Sequence, residues 1–170
     1  SDLLEEYSSR LAKGGDDAHI WKIRLFRMLV ILDRTKALEA KVREWTKADR
    51  SDSLWRVTLG YLLAEKGLFA EAVELFEGTA NEDELTSKEW RALADWYMAL
   101  DRREELEKAE TRRLLVLDEY QLSNWLQNRL YQLRGNAEGV QLEERDVAVA
   151  RALLAKATYP GSYVWTVGEL

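Results

Sequence analysis

The sequence holds no cysteine, one histidine and one proline, and each scarcity removes a class of explanation. Without cysteine there is no disulfide framework, no thiolate zinc site and no cysteine nucleophile, and the redox compartment is left open. The lone imidazole, His19, leaves little for metal chemistry or for a serine–histidine relay. With Pro160 as the only proline and just 9 glycines, a chain rich in Leu, Ala, Glu, Arg and Lys favours long helices, because these residues lose little side-chain freedom in a helix and nothing interrupts the backbone ladder. No β-sheet is expected before residue 158. Basic charge is in deficit too: 25 Lys and Arg stand against 31 Asp and Glu, a net charge of −6, whereas a nucleic-acid binder normally offers a basic face to phosphates. The expectation is no nucleic-acid partner. No run approaches the roughly 20 apolar residues of a membrane-spanning helix. The longest, Leu25 to Leu32, is broken by Arg27, and the opening SDLLEEYSSRLAK lacks the apolar centre of a signal peptide. Direct membrane insertion is not expected, and the cellular compartment is left open.

What is present is periodic. At 170 residues and 46% hydrophobic content the chain can bury a real core. In LGYLLAEKGLFAEAVELF, residues 59 to 76, apolar residues recur at helical spacing on both sides of Gly67, which predicts a helical hairpin. Gly60 reads as a close-approach position and Gly67 as a left-handed helix end. Trp21, Trp55, Trp90 and Trp125 are separated by 34, 35 and 35 residues, and the turn residues Asp33, Gly67, Asp101 and Gly135 by 34 each. Two markers in step with one period point to a helical solenoid, in which a hairpin cannot bury its own apolar face and stacks on the next.

On these residues the chain resembles the tetratricopeptide repeat family. Leu59-Gly60, Leu63, Gly67, Phe69, Ala72 and Phe76 fall in step with that family's pattern, Trp55 lying one residue early, and Trp90, Leu93, Ala94, Tyr97, Asp101 and Leu106 match a second copy. Leu25, Phe26, Leu29, Asp33, Leu38 and Val42 fill the slots of the first copy, where Phe26 in place of glycine implies looser or tilted packing. The fourth copy departs from the pattern: Gln127 and Asn128 replace Leu-Gly, and RGNAEGV interrupts its second helix. The resemblance implies an all-α fold, a right-handed α-solenoid of about four hairpins and eight to nine helices, with an irregular C-terminal tail. A single solenoid domain is expected over 1–157, with 1–15 a partial repeat or capping helix and repeats at 17–50, 51–85, 86–119 and 120–157. The tail, 158–170, leads toward a missing region. Within the last repeat, Glu143 to Lys156 reads as an amphipathic helix with Val147, Ala150, Leu153 and Leu154 toward the core.

Candidate chemistry is thin. GGDDAH at 14 to 19 offers Asp16, Asp17 and His19 to a divalent ion, but the plainer reading is that Gly14-Gly15 end one helix and an aspartate caps the next. ANEDEL at 80 to 85 lacks the alternating oxygen ligands and central glycine of a calcium loop and reads as a connection between repeats. The tryptophans, in register with the repeat, read as packing, Trp45 and Trp96 carry no separate signal, and Trp165 is an anchor or a contact to a missing segment. No catalytic residue, cofactor or metal is expected, and the chain is read as a non-enzyme.

What remains is a groove. In proteins similar to this family the first helices of successive hairpins line a concave face, which the repeat register assigns to Ile23, Arg27 and Ile31, then Val57, Tyr61 and Glu65, then Arg91 and Asp95, then Trp125 and Arg129. Arg27, Arg91 and Arg129 would form a basic line suited to carboxylates, with Tyr61 and Trp125 as anchors, unless these arginines simply pair with Glu65 and Asp95. The expectation is a non-catalytic interaction module, a fragment of a larger protein, that holds a peptide or partner segment, an acidic one being the first candidate. The competing expectation is a spacer domain supporting a neighbour, its groove filled by its own tail.

Overall fold

The structure, a computed structural model, describes residues 2–15, 17–49, 52–77, 85–135 and 141–168. Among them the chain is all-α and carries no strand. Ten α-helices follow one another: α1 Asp2–Ala12, α2 Ala18–Ile31, α3 Thr35–Ala48, α4 Ser53–Ala64, α5 Phe69–Glu77, α6 Ser87–Ala99, α7 Arg103–Leu115, α8 Glu119–Arg134, α9 Glu144–Lys156 and α10 Val164–Gly168. They pack as neighbouring pairs, the arrangement of a helical repeat. The chain forms two compact units, Ser1–Phe76 and Glu77–Leu170. The border between the units falls at the end of α5.

Local chemistry explains where the helices start and stop. Thr86 and Glu89 form a reciprocal capping box at α6, as do Asp118 and Gln121 at α8 and Glu143 and Asp146 at α9. Asp52 accepts the Leu54 N–H at the start of α4. Asp17 occupies the N-cap position of α2 but makes no side-chain cap bond, so the capping expected of it is not realised; Asp16 lies outside the described residues.

The turns after α2, α4 and α6 share one device. Asp33, Gly67 and Asp101 take φ of 49°, 76° and 54°, and the next residue in each donates its N–H five residues back: Arg34 to Leu29, Leu68 to Leu63, Arg102 to Tyr97. That bond closes the last turn around one left-handed residue, which glycine adopts freely and aspartate tolerates. The fourth marker breaks the series, since Gly135 has φ −69° and donates to Tyr131. Left-handed geometry makes a testable distinction: Asp101→Gly is expected to stabilise the second unit by about 0.5 kcal/mol, and Gly67→Ala to destabilise the first by about 1 kcal/mol. Chemical denaturation of both variants, followed by circular dichroism, reads the two signs.

Packing in the first unit centres on aromatic residues. Trp55 is 2% exposed, its ring 4.6 Å from Trp45, 5.8 Å from Phe26 and 6.4 Å from His19. Helix α1 docks on α2 through Tyr7 and Trp21, 5.7 Å apart, with the Arg10 and Arg24 guanidinium groups 4.9 and 4.6 Å from the Trp21 ring. Gly60 supplies the closest approach: a Cβ there would sit 2.4 Å from the Phe76 ring. Where the first copy has Phe26 instead, α2 and α3 touch over a shorter stretch than α6 and α7 do.

In the second unit Tyr97 donates its hydroxyl to Glu77 at 2.8 Å, and Arg102 bonds both Glu77 and Glu105. Burial, then the Glu77 carboxylate, pushes the Tyr97 phenol well up from its ordinary range. A second cluster, Leu114, Leu122, Leu126, Val149, Ala150 and Leu153, joins α7, α8 and α9. The inward residues of α9 include Val149, fully buried, while Val147 and Leu154 are half-buried. The tail is not irregular. Pro160–Tyr163 form a 3-10 turn that runs into α10, and Tyr163 and Val167 pack on the α8–α9 cluster beside Trp125. Glu119 anchors the segment, accepting from the Thr158 N–H at 3.0 Å and the Tyr163 hydroxyl at 3.0 Å. The Trp165 side chain and most of ANEDEL lie outside the described residues.

Candidate functional site

Burial fixes the true repeat register. Shifting α2 onto α4 by 34 residues superposes buried Leu25 and Leu29 on Leu59 and Leu63, and the same shift carries α4 onto Leu93, Ala94 and Tyr97 of α6. From α6 to α8 the shift is 33, matching Trp90, Leu93 and Tyr97 with Ser123, Leu126 and Leu130. The tryptophan spacing therefore drifts out of register. Trp125 stands two positions beyond the equivalent of Trp90, which on an α-helix turns it to another side.

That register defines an outward stripe on each first helix. One slot holds Arg27, Tyr61, Asp95 and Asn128, all exposed; the slot before it holds Ile23, Val57, Arg91 and Asn124. Ile31 and Glu65, one turn further on, are exposed too. Residues expected on the groove in the first three hairpins thus sit on the stripe. In the fourth they do not: the α8 stripe is Gln121, Asn124, Asn128 and Tyr131, the last 80% exposed. Trp125 is half-buried against the Leu122–Leu126 cluster instead.

Arg129 points inward. Its Nε donates to both oxygens of Asp146, at 3.0 and 3.1 Å, and its Nη2 donates to the Gln141 carbonyl at 2.8 Å and to Glu143 at 3.0 Å. Asp146 is 0% exposed and also accepts the Glu143 N–H. The hydrogen bond to Asp146 holds the Arg129 guanidinium above its ordinary pKa, against the opposing effect of burial. The basic line expected from sequence loses this member, because α8 turns position 129 toward α9. No local signal announces the pair, whose partners are 17 residues apart.

Three hollows accompany these helices. In the first unit a cleft of about 390 Å³ is lined by Phe26, Leu29 and Val30 of α2, Asp33 beyond its end, Leu38 of α3, and Tyr61, Leu62 and Glu65 at α4. Tyr61 holds its ring edge-on to Phe76 at 5.7 Å. A hollow of about 450 Å³ between α1 and α2 includes Asp17 and Trp21, while His19 sits by Trp55. In the second unit a polar cleft of about 350 Å³ gathers Arg113, Trp125, Arg129 and Arg145, and Arg91 and Asp95 of α6 are not part of its lining. Each of its three arginines is committed internally, to Glu110, Asp146 and Glu143 respectively. No tail residue lines either the α2–α4 cleft or the arginine-lined cleft among the described residues. Sequence reading missed Asn128, Tyr131 and Asp33 as surface candidates; the 34-residue turn period leads from Asp95 to Arg129, and only the 33-residue shift of the buried positions reaches Asn128.

No helix among the described residues is long and apolar enough to cross a membrane. Comparison with protein-family models, with curated proteins and with solved structures finds no significant match to the chain.

Proposed function

We propose that the chain is a non-catalytic interaction module that holds a peptide segment of a partner protein against the outward stripes of its first helices, in the manner of the tetratricopeptide-like repeats it resembles. The observation that carries this reading is internal to the sequence. Across the four hairpins the buried slot is Leu25, Leu59, Leu93 and Leu126, whereas the outward slot is Arg27, Tyr61, Asp95 and Asn128. Packing demands one residue and gets it four times; the exposed slot carries four different chemistries. Within each unit, such slots recognise by the order of their side chains rather than by one reactive group.

Tyr61, 37% exposed in the lining of a largely apolar cleft, is the anchor this reading favours. Aromatic anchors in pockets dominate binding energy at interfaces. A displayed random 12-residue peptide library panned against the whole chain is expected to enrich families whose binding weakens about ten-fold or more in Tyr61→Ala. Absence of any enriched family would contradict the proposal. One observation favours the supporting role instead for the far end of the molecule: Tyr163 and Val167 share a cluster with Trp125, so the tail acts there as a cover for the terminal hydrophobic face.

A further inference from the structure

We infer that the cleft between α2 and α4 takes a basic, apolar segment, seating one apolar side chain against its apolar lining and a lysine or arginine about one turn away between Asp33 and Glu65. The inference rests on the peptide-binding reading and adds the charge of the ligand. Its first support is the make-up of the cleft. Most of its lining is apolar, and among the described residues the only charged groups in it are the carboxylates of Asp33 and Glu65, with no lysine or arginine. Arg27, on the neighbouring slot of α2, stays outside it, and Lys66, next to Glu65 in sequence, is bonded to Glu39 on α3.

Position along the helices is the second support. Helix α2 ends at Ile31 and α4 at Ala64, so Asp33 lies just beyond one C-terminus and Glu65 is the C-cap of the other. Helix C-termini carry partial negative charge, and a carboxylate placed there adds to it. Neither Asp33 nor Glu65 has a basic partner among the described residues; Asp33 accepts only from the Thr35 hydroxyl, at 3.3 Å. Two helix ends and two exposed carboxylates therefore border one largely apolar cleft, with no cation in its lining among the described residues. A cationic group on a ligand complements them.

The first unit is otherwise neutral, with 13 basic and 13 acidic residues in positions 1–76, so the preference comes from this local placement and not from the chain's overall acidity. An acidic peptide would meet repulsion at this cleft. A long apolar side chain with an amphipathic cationic neighbour would bury its stem on Val30 and Leu62 and leave its charge at the rim.

The test uses the same 12-residue peptide library, panned against the whole chain and sequenced. Enriched peptides are expected to pair an aromatic or branched aliphatic residue with Lys or Arg within about four positions. Their synthetic forms are expected to bind at least about ten-fold more weakly to Glu65→Lys, with a smaller loss in Asp33→Asn, and to weaken as salt is raised. Because Glu65 is exposed, Glu65→Lys is expected to melt at or above the wild-type temperature, which separates lost binding from lost folding. Peptides with an acidic consensus, or basic ones indifferent to Glu65→Lys, would overturn this inference while leaving the peptide-binding reading intact. No enriched peptide at all would overturn both.

Discussion

Replacing Gly60 with alanine is expected to destabilise the first unit by about 2 kcal/mol, although alanine is the better helix former. Gly60 lies inside α4, where exchange for alanine would ordinarily gain about 1 kcal/mol. Here the new Cβ would lie 2.4 and 2.8 Å from two carbons of the Phe76 ring. Phe76 is 1% exposed and its ring is held edge-on by Tyr61, so it has little room to swing away. Overpacking of this kind costs about 1–3 kcal/mol or more, enough to reverse the propensity gain. The partner change is the control. Phe76→Leu alone creates a cavity and destabilises, but in the Gly60→Ala background it removes the clash, so the double mutant is expected to be more stable than the two single losses predict by about 1 kcal/mol or more. Equilibrium urea denaturation of the four proteins closes this cycle. Additive losses would mean that Gly60 is not a contact glycine.

The second large effect is expected at the buried ion pair. Arg129→Met leaves the fully buried Asp146 carboxylate without its cation and is expected to cost about 3–5 kcal/mol; Asp146→Ala is expected to cost less, because the Arg129 guanidinium, 13% exposed, keeps Glu143 and the Gln141 carbonyl. The combination Arg129→Met/Asp146→Leu is expected to recover most of the loss, since both desolvated charges vanish together. Some cost persists, because Asp146 also accepts the Glu143 N–H at the start of α9. Thermal denaturation of the three variants measures this. If Arg129→Met alone left stability unchanged, the pair would not be buried as described. The outcome bears on function as well: charge reversal at Arg129 disturbs the folding of the second unit, so Arg91, exposed and outside any ion pair among the described residues, is the position at which a basic contact to a ligand can be tested cleanly.

Much of this architecture was legible in the sequence because helical packing writes a period. The apolar spacing around Gly67 gave the hairpin, and the recurrence of Asp33, Gly67 and Asp101 marked three turns that share one left-handed geometry. Gly60 announced its close approach to Phe76 because an interior glycine in a helix needs a packing reason. Tryptophan was the misleading marker. A large aromatic residue packs from several neighbouring slots, so its spacing can drift by a residue per repeat while the smaller leucine positions hold the register. Trp125 and Arg129 were expected on the outward stripe because a 34-residue period was carried past α6, where the buried positions shift by 33, and a displacement of one residue turns both side chains inward. Asp146 was illegible for a different reason: a buried carboxylate is justified only by a partner from another helix, and sequence spacing alone cannot show which helix faces it. The cleft between α2 and α4 combines residues from two hairpins, and its charge depends on which neighbours turn away. Arg27 and Lys66 are close in sequence to Val30 and Glu65, yet neither lines it.

On the reading proposed above, the outward stripes of α2 and α4 form the interaction surface. The most direct measurement is an amide chemical-shift titration of the whole chain with a synthetic peptide taken from the display selection. The account predicts that the perturbed amides concentrate on α2 and α4, with Arg27, Val30, Tyr61 and Glu65 among those that move most, while the buried leucine slots and the tail around Tyr163 stay still. Perturbations centred on the tail, or on the arginine-lined cleft of the second unit with α2 and α4 unmoved, would contradict it.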